Sequence, residues 1–392
     1  MKKTNITKLA FTWLTLSALY FLPSCNFIAN NENKNKMHMV VEISTPGTSV
    51  NDLNEMQNAM NSTIELFRSR LNGIDIKKVD IQPLDVSKGL ISIDLLGVSS
   101  PERVRKQILS HAYLELWETA ELEEILTNVI AINDMAREIE EAQPAVQEEQ
   151  KVEETKENEP KEEDEWTRAF DSIYASNKSD EENETQNLNN EELDKRNPLF
   201  KLLFMNINIM SGHGTPYSGP TIGHASAKDT AKISEYFKLA KEKGIFPSNI
   251  YPIWTPRTNS YDEETLFELV ALKSSGEERK PALSGNIIKK ANAERNNYGQ
   301  NYVSFEMTSD ASVIWEDLTG KNVGKTIAIV LDGHVCTAPR VNSAITGGKC
   351  SISGEFTKEE TEEIAALLNS GPLNVSTKII EETIDTPVIA FK

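Results

Sequence analysis

Between Met39 and Trp117 the hydrophobic pattern alternates between a period of two and a period near 3.6, and this order restricts the fold more than any other feature. Met39 to Ile43 is β-prone and leads into a Pro46-Gly47 turn. From Asn51 to Leu71 the apolar residues Leu53, Met56, Met60, Ile64, Phe67 and Leu71 recur at three and four, which marks one face of a long helix. Asn72-Gly73 is its stop. Val79 to Leu84 and Leu90 to Leu96 read as two strands joined by a turn at Asp85 to Gly89. Ser100 caps a second helix with Pro101 at its first position, and Val104 and Ile108 form its apolar face. Tyr113 to Trp117 is the expected closing strand, with Leu114 and Leu116 on one face and Tyr113, Glu115 and Trp117 on the other. Strand, helix, strand, strand, helix, strand predicts an α+β fold whose first part is a ferredoxin-like base, βαββαβ.

Charge divides the chain. The net charge is −19 and the sequence pI about 4.9, which argues against nucleic acid as a partner, since that would need a basic face. Glu138 to Arg196 holds 21 acidic and 7 basic residues, so most of the excess is local. Glu148 to Glu165 also lacks apolar periodicity, and a segment of that composition cannot bury enough surface to offset its ordering entropy. Residues 121–196 are therefore expected to be an acidic, largely disordered insert. A solvated insert is favoured over an acidic strip that binds a partner.

The N-terminus indicates the compartment. Lys2, Lys3 and Lys8 precede an apolar run from Leu9 to Phe21, followed by Leu22-Pro23-Ser24-Cys25. The run is shorter than the ~20 residues that span a hydrocarbon core, and its order reads as a lipoprotein signal peptide over 1–24 with lipidation of Cys25. An ordinary signal peptide or a short membrane anchor is the bland alternative. With residues 25–37 as a polar tether, the expectation is a lipoprotein anchored to a membrane and facing the periplasm or the cell surface.

Several motifs point to one family. Phe67-Arg68-Ser69-Arg70-Leu71-Asn72-Gly73, Ile81-Gln82-Pro83, Leu96-Gly97-Val98 with Pro101-Glu102-Arg103, and Leu114-Glu115-Leu116-Trp117-Glu118-Thr119 follow one another in the first part. Later come Pro220-Thr221-Ile222-Gly223-His224-Ala225 and Leu283-Ser284-Gly285-Asn286. Val323-Gly324-Lys325-Thr326 then leads through Leu331-Asp332-Gly333, Ala338-Pro339 and Ile345-Thr346-Gly347-Gly348 to Ile352-Ser353-Gly354-Glu355-Phe356-Thr357. In this order the motifs resemble the first periplasmic domain of the protein-export factor SecD. The resemblance implies a base over 38–120, an inserted mixed α/β head over 197–356, and a helix and strand over 357–386 that return to the base. The family's first transmembrane helix and its Asp-Leu-x-Gly-Gly motif have no counterpart in this sequence, so an autonomous export motor is not expected.

The resemblance also implies a function. The family's head is thought to contact emerging, unfolded polypeptide, so translocon components or exported polypeptide are the implied partners. Asp332, Gly333, His334, Val335, Ala338 and Pro339 are the candidate contact residues, and apolar pockets or a free sheet edge would supply the physical means. The runner-up is a structural or interaction lipoprotein that binds an envelope partner and no client. A decaying copy is disfavoured by the intact lipobox. Cys336 and Cys350 both depart from the residues usual in the family, and a disulfide between them is expected, against the alternative of two buried thiols.

Catalysis is not expected. Gly324-Lys325-Thr326 imitates the end of a phosphate-binding loop, but Thr319 stands at the first glycine position and a strand follows. His38, His111, His213, His224 and His334 lack metal-ligand spacing, no Gly-x-Ser-x-Gly elbow occurs, and the paired carboxylates belong to the charge run. No cofactor is implied.

Overall fold

The structure, a computed structural model, describes residues 35–45, 53–142, 195–210, 213–257, 266–276 and 278–385. Cys25, the signal peptide and most of the tether lie outside the described residues, as does 143–194 of the acidic stretch. The architecture is α+β.

Strand β1 (Lys36–Ser44), helix α1 (Leu53–Leu71), strands β2 (Lys78–Asp85) and β3 (Leu90–Leu96) and helix α2 (Pro101–Leu109) follow the hydrophobic periods. Helix α1 buries Met60, Ile64, Phe67 and Leu71, and these pack with Met37, Met39, Ile91 and Ile93 from the sheet in one apolar cluster. Between β2 and β3 the Asp85 side chain accepts from the backbone N–H groups of Ser87 and Lys88. Gly89 closes that turn at φ +64°, where a Cβ would stand 2.4 Å from the carbonyl oxygen of Ile43, so only glycine fits. Ser100 caps α2 by accepting from Arg103 N, with Pro101 in the first turn.

The closing strand is corrected. Strand β4 (Leu114–Thr119) does not join the base sheet, whose order is β17-β1-β3-β2 with the far C-terminal strand β17 (Ser376–Asp385) in the fourth place. Strand β4 is buried on both faces: Leu114 and Leu116 face one cluster and Trp117 another. Such a strand suits the interior of a large sheet better than the edge of a small one. Ala112, at φ 53°, turns the chain out of the base between α2 and β4.

A second correction concerns the acidic stretch. Residues 122–142 are not disordered but form helix α3 (Leu122–Ala142), with Leu122, Ile125, Leu126, Val129, Ile132, Met135 and Ala136 buried. Their spacing of three and four is an apolar stripe, and Glu123, Glu124, Glu138, Glu140 and Glu141 stand outside it.

The chain then continues through β5 (Phe204–Met205), β6 (Ile207–Met210), β7 (His213–Pro216), β8 (Thr221–Ser226), α4 (Thr230–Glu242), β9 (Ile250–Arg257) and β10 (Leu266–Lys273). Next come β11 (Leu283–Ser284), β12 (Ile288–Arg295), β13 (Asn301–Met307), α5 (Ser309–Lys321), β14 (Ile327–Leu331), β15 (His334–Thr337), β16 (Lys349–Phe356) and α6 (Lys358–Ser370). An eight-stranded sheet runs β15-β14-β4-β10-β8-β5, with β11 on β4 and β9 on β10. A three-stranded sheet runs β12-β13-β16. Helices α3 and α4 pack on the large sheet, and between the two sheets lies a core that includes Trp315, Ile329, Phe305, Ile352 and Leu368.

Thr357 and Glu360 form the capping box that starts α6. This helix lies against the base: a Cβ on Gly73 would stand 2.8 Å from Ala366 Cβ, and the buried Glu363 pairs with Arg103. Strand β17 follows, held to α2 by Arg105, whose Nη2 lies 2.6 Å from Glu382 Oε1.

Candidate functional site

Two crossings join the base to the rest of the molecule, and one buried cation holds both. Arg70, wholly buried on α1, donates from Nη1 to Gln107 O at 3.0 Å and to Ser110 O, from Nε to Ser370 Oγ at 3.0 Å, and from Nη2 to Gly371 O at 3.3 Å. Burial pulls its guanidinium down to about 10, with Asp332 opposing, so the cation persists at neutral pH. Asp332 and Gly333, at φ 50° and 79°, form the two-residue turn between β14 and β15, where Leu331 pairs with His334. The Asp332 carboxylate accepts from Tyr113 N at 2.9 Å, Ala112 N at 3.3 Å and Ser110 Oγ. Asp332 is thus a structural pin at the junction, with its acceptors largely used.

Beside this pin opens a cleft of about 1650 Å³. Strand β15 ends the large sheet and β16 ends the small one, and both face this cleft. Ser351 and Ser353 stand exposed on either side of the buried Ile352, followed by the exposed Gly354. Among the described residues neither strand has a second strand partner. At the back, Thr255 Oγ1 donates to Val335 O at 2.7 Å and ties β9 to β15.

Residues 268–375, which hold both free edges, the pin and α6, match the family model of the SecDF P1 head subdomain. This part of the chain is similar to a SecDF P1 head. The chain is 28% identical over 333 residues to the protein translocase subunit SecD of Rhodothermus marinus, a match covering 84% of this chain and 47% of that protein. It is 40% identical over 129 residues to SecD of Dictyoglomus turgidum, covering 32% of each, and 43% identical over 101 residues to SecDF of Thermus thermophilus, covering 26% and 14%. The chain thus spans about half the length of the first of these relatives, and less of the others. A solved SecDF structure aligns over 88% of this chain and 98% of that one, at 21% identity and a TM-score of 0.41.

Within the SecDF-like head the candidate residues divide. Asp332, His334, Val335 and Ala338 line the cleft, with Val335 mostly given to the apolar core around Trp117. Gly333 borders a separate hollow of about 340 Å³ shared with Tyr113, Trp117 and Arg279. Pro339 reaches neither, and its carbonyl accepts from Ile327 N at 3.2 Å.

The expected disulfide is corrected: Cys336 and Cys350 are free thiols. The expectation needed β15 and β16 as sheet neighbours, but β15 returns along β14 while β16 pairs with β13, where Cys350 faces Phe305. Both thiols pack against the core between the sheets, and desolvation pushes each up to about 11, away from the reactive thiolate. Among the described residues no group of three or more His, Cys, Asp or Glu could hold a metal ion.

Sequence reasoning missed the β16 edge and the β12–β13 tip, whose Asn296, Gln300, Asn301 and Tyr302 also line the cleft. The polar alternation of Ser351 and Ser353 about Ile352 was the available signal. It marks a half-buried strand without saying which edge is left open.

Proposed function

We propose that this chain is a membrane-tethered, non-enzymatic SecD-like periplasmic module that assists protein export by holding extended polypeptide in the cleft. One observation carries the reading: among the described residues β15 and β16 each have a single strand partner and border the same cleft, with β16 the more open edge because Thr255 already takes Val335 O on β15. An extended chain added to either edge would bond through its main chain, which supports affinity without demanding a sequence. The relationship to protein translocase subunits supports translocon components or exported chains as partners.

The tether in this proposal is lipid on Cys25. No helix among the described residues is long and apolar enough to cross a membrane. Labelling with a fatty-acid probe is expected to mark the protein, and Cys25→Ser to release it from membranes. Unchanged partitioning with no label in either form contradicts the tether.

A photo-crosslinker at Ser353, compared with one at the exposed Lys238 on α4, tests the binding. During secretion, exported chains are expected at Ser353 and not at Lys238. Capture at Ser353 of a folded envelope protein alone would favour the structural, client-free alternative.

A further inference from the structure

The loop joining β12 to β13 borders the cleft through Asn296 and Gln300, and beyond that lining it carries Tyr298, which is 91% exposed. Nothing in the folding of the head explains that exposure, because a tyrosine leaves most of its apolar ring in water there. The loop itself is tightly built. Asn296 Oδ1 accepts from Tyr298 N at 2.9 Å and Gln300 N at 3.0 Å, and Asn296 Nδ2 donates to Gln300 Oε1 at 2.9 Å. Arg295 Nε donates to Gly299 O at 2.8 Å, and Gly299 takes φ +84°. The backbone is fixed and the ring is presented.

The surrounding sequence is Arg295-Asn296-Asn297-Tyr298-Gly299-Gln300-Asn301-Tyr302. Tyrosine offers a large amphipathic contact area at low entropic cost, and side-chain amides can bond to any peptide group they meet. Recognition loops that must accept varied partners use this mixture. A pre-ordered loop also spends less entropy on binding.

We infer that residues 295–302 form a recognition tip for extended polypeptide, with Tyr298 as its anchor and the Gln300 side-chain NH2, which the loop's own hydrogen bonds do not use, as a sequence-tolerant donor to the chain entering the cleft. The inference rests on the reading of the cleft as a polypeptide site. It commits to unfolded polypeptide because the amide-bearing residues of the tip are continuous with the cleft wall. A membrane interface, where exposed tyrosines also settle, is the competing occupant.

The test uses the full chain and a permanently unfolded probe, fluorescein-labelled lactalbumin that has been reduced and carboxymethylated. Tyr298→Ala is expected to raise Kd roughly tenfold, as for loss of an aromatic anchor, while Tyr298→Phe stays near wild type. The thermal transition should not move, since the ring supports no packing. Crosslinking of the same probe at Ser353 reports the cleft separately. If Tyr298→Ala binds as wild type while Ser353 still crosslinks, the tip is not a contact and the cleft reading stands. If wild type neither binds nor crosslinks, the cleft reading fails and takes the tip with it. If Tyr298→Ala loses only binding to phosphatidylcholine–phosphatidylglycerol vesicles, the tip is a membrane contact and the inference is overturned.

Discussion

The base and the head differ in how heavily their sheet edges are guarded. In the base, β17 carries Lys378, Glu381 and Glu382 and pairs with β1 across a bulge at Val40/Val41. The other base edge, β2, carries Pro83 beside its own register shift. Bulges, charges and proline all discourage a further strand from adding. In the head, β16 presents Ser351, Ser353 and Gly354 with no proline and faces β15 across the cleft, but both strands also pair through a register shift, and β16 carries Lys349 and Glu355 at its ends. The remaining difference is a stretch of β16, Ser351 to Ser353, with neither charge nor proline, and on the proposal above it is there that the head would bind while the base serves as scaffold.

The largest expected effect breaks the scaffold. Phe67 is wholly buried in the base core, and Phe67→Ala should cost about 3–5 kcal/mol in denaturant unfolding. If the base is only a support, polypeptide binding should fall in step with the unfolded fraction and no further. A loss of binding by protein that remains folded would place part of the receptor in the base.

A smaller effect is expected at the junction. Asp332→Ala leaves Tyr113 N, Ala112 N and Ser110 Oγ without their shared acceptor and keeps a side chain at φ 50°, so a loss of about 1–3 kcal/mol is expected. Calorimetry should show the base and head transitions moving apart. A single transition that merely shifts would mean that Asp332 does not couple the two parts.

What the sequence revealed also differs between the two regions. In the base, Met60, Ile64 and Phe67 sit on one helix turn after another, and local spacing suffices to place them. Tyr113 to Trp117 was misassigned because alternation shows two faces without showing that both are buried, and Trp117 is 2% exposed. Helix α3 was misread because its glutamates dominate the composition while Ile125, Val129 and Ile132 keep a helical stripe beneath them. The cleft depends on which strands remain unpaired at the end of two sheets. That is decided by pairings such as β4 with β14, some 200 residues apart in sequence, which no local pattern records.

The smallest effect concerns the guarded edge at acid pH. Hydrogen bonding from Arg105, opposed by partial desolvation, holds the Glu382 carboxyl below the usual range. A depressed carboxylate stabilises the fold fully above its unfolded value of about 4.3, and that contribution is lost as pH falls through the lower folded value. Glu382→Gln should therefore lower Tm by about 1–3 °C at pH 7, with the difference from wild type shrinking below pH 4. A difference that stays constant into acid would show that the ion pair does not hold β17.

The central claim is that the head receives extended polypeptide on its open edges, and hydrogen exchange with and without a saturating unfolded chain tests it most directly. Protection is predicted for backbone amides in Ser351–Phe356, in His334–Thr337 or in both, with the β17 and β2 edges of the base unchanged. Protection confined to the base edges, or none in either head strand while the chain is bound, would contradict it.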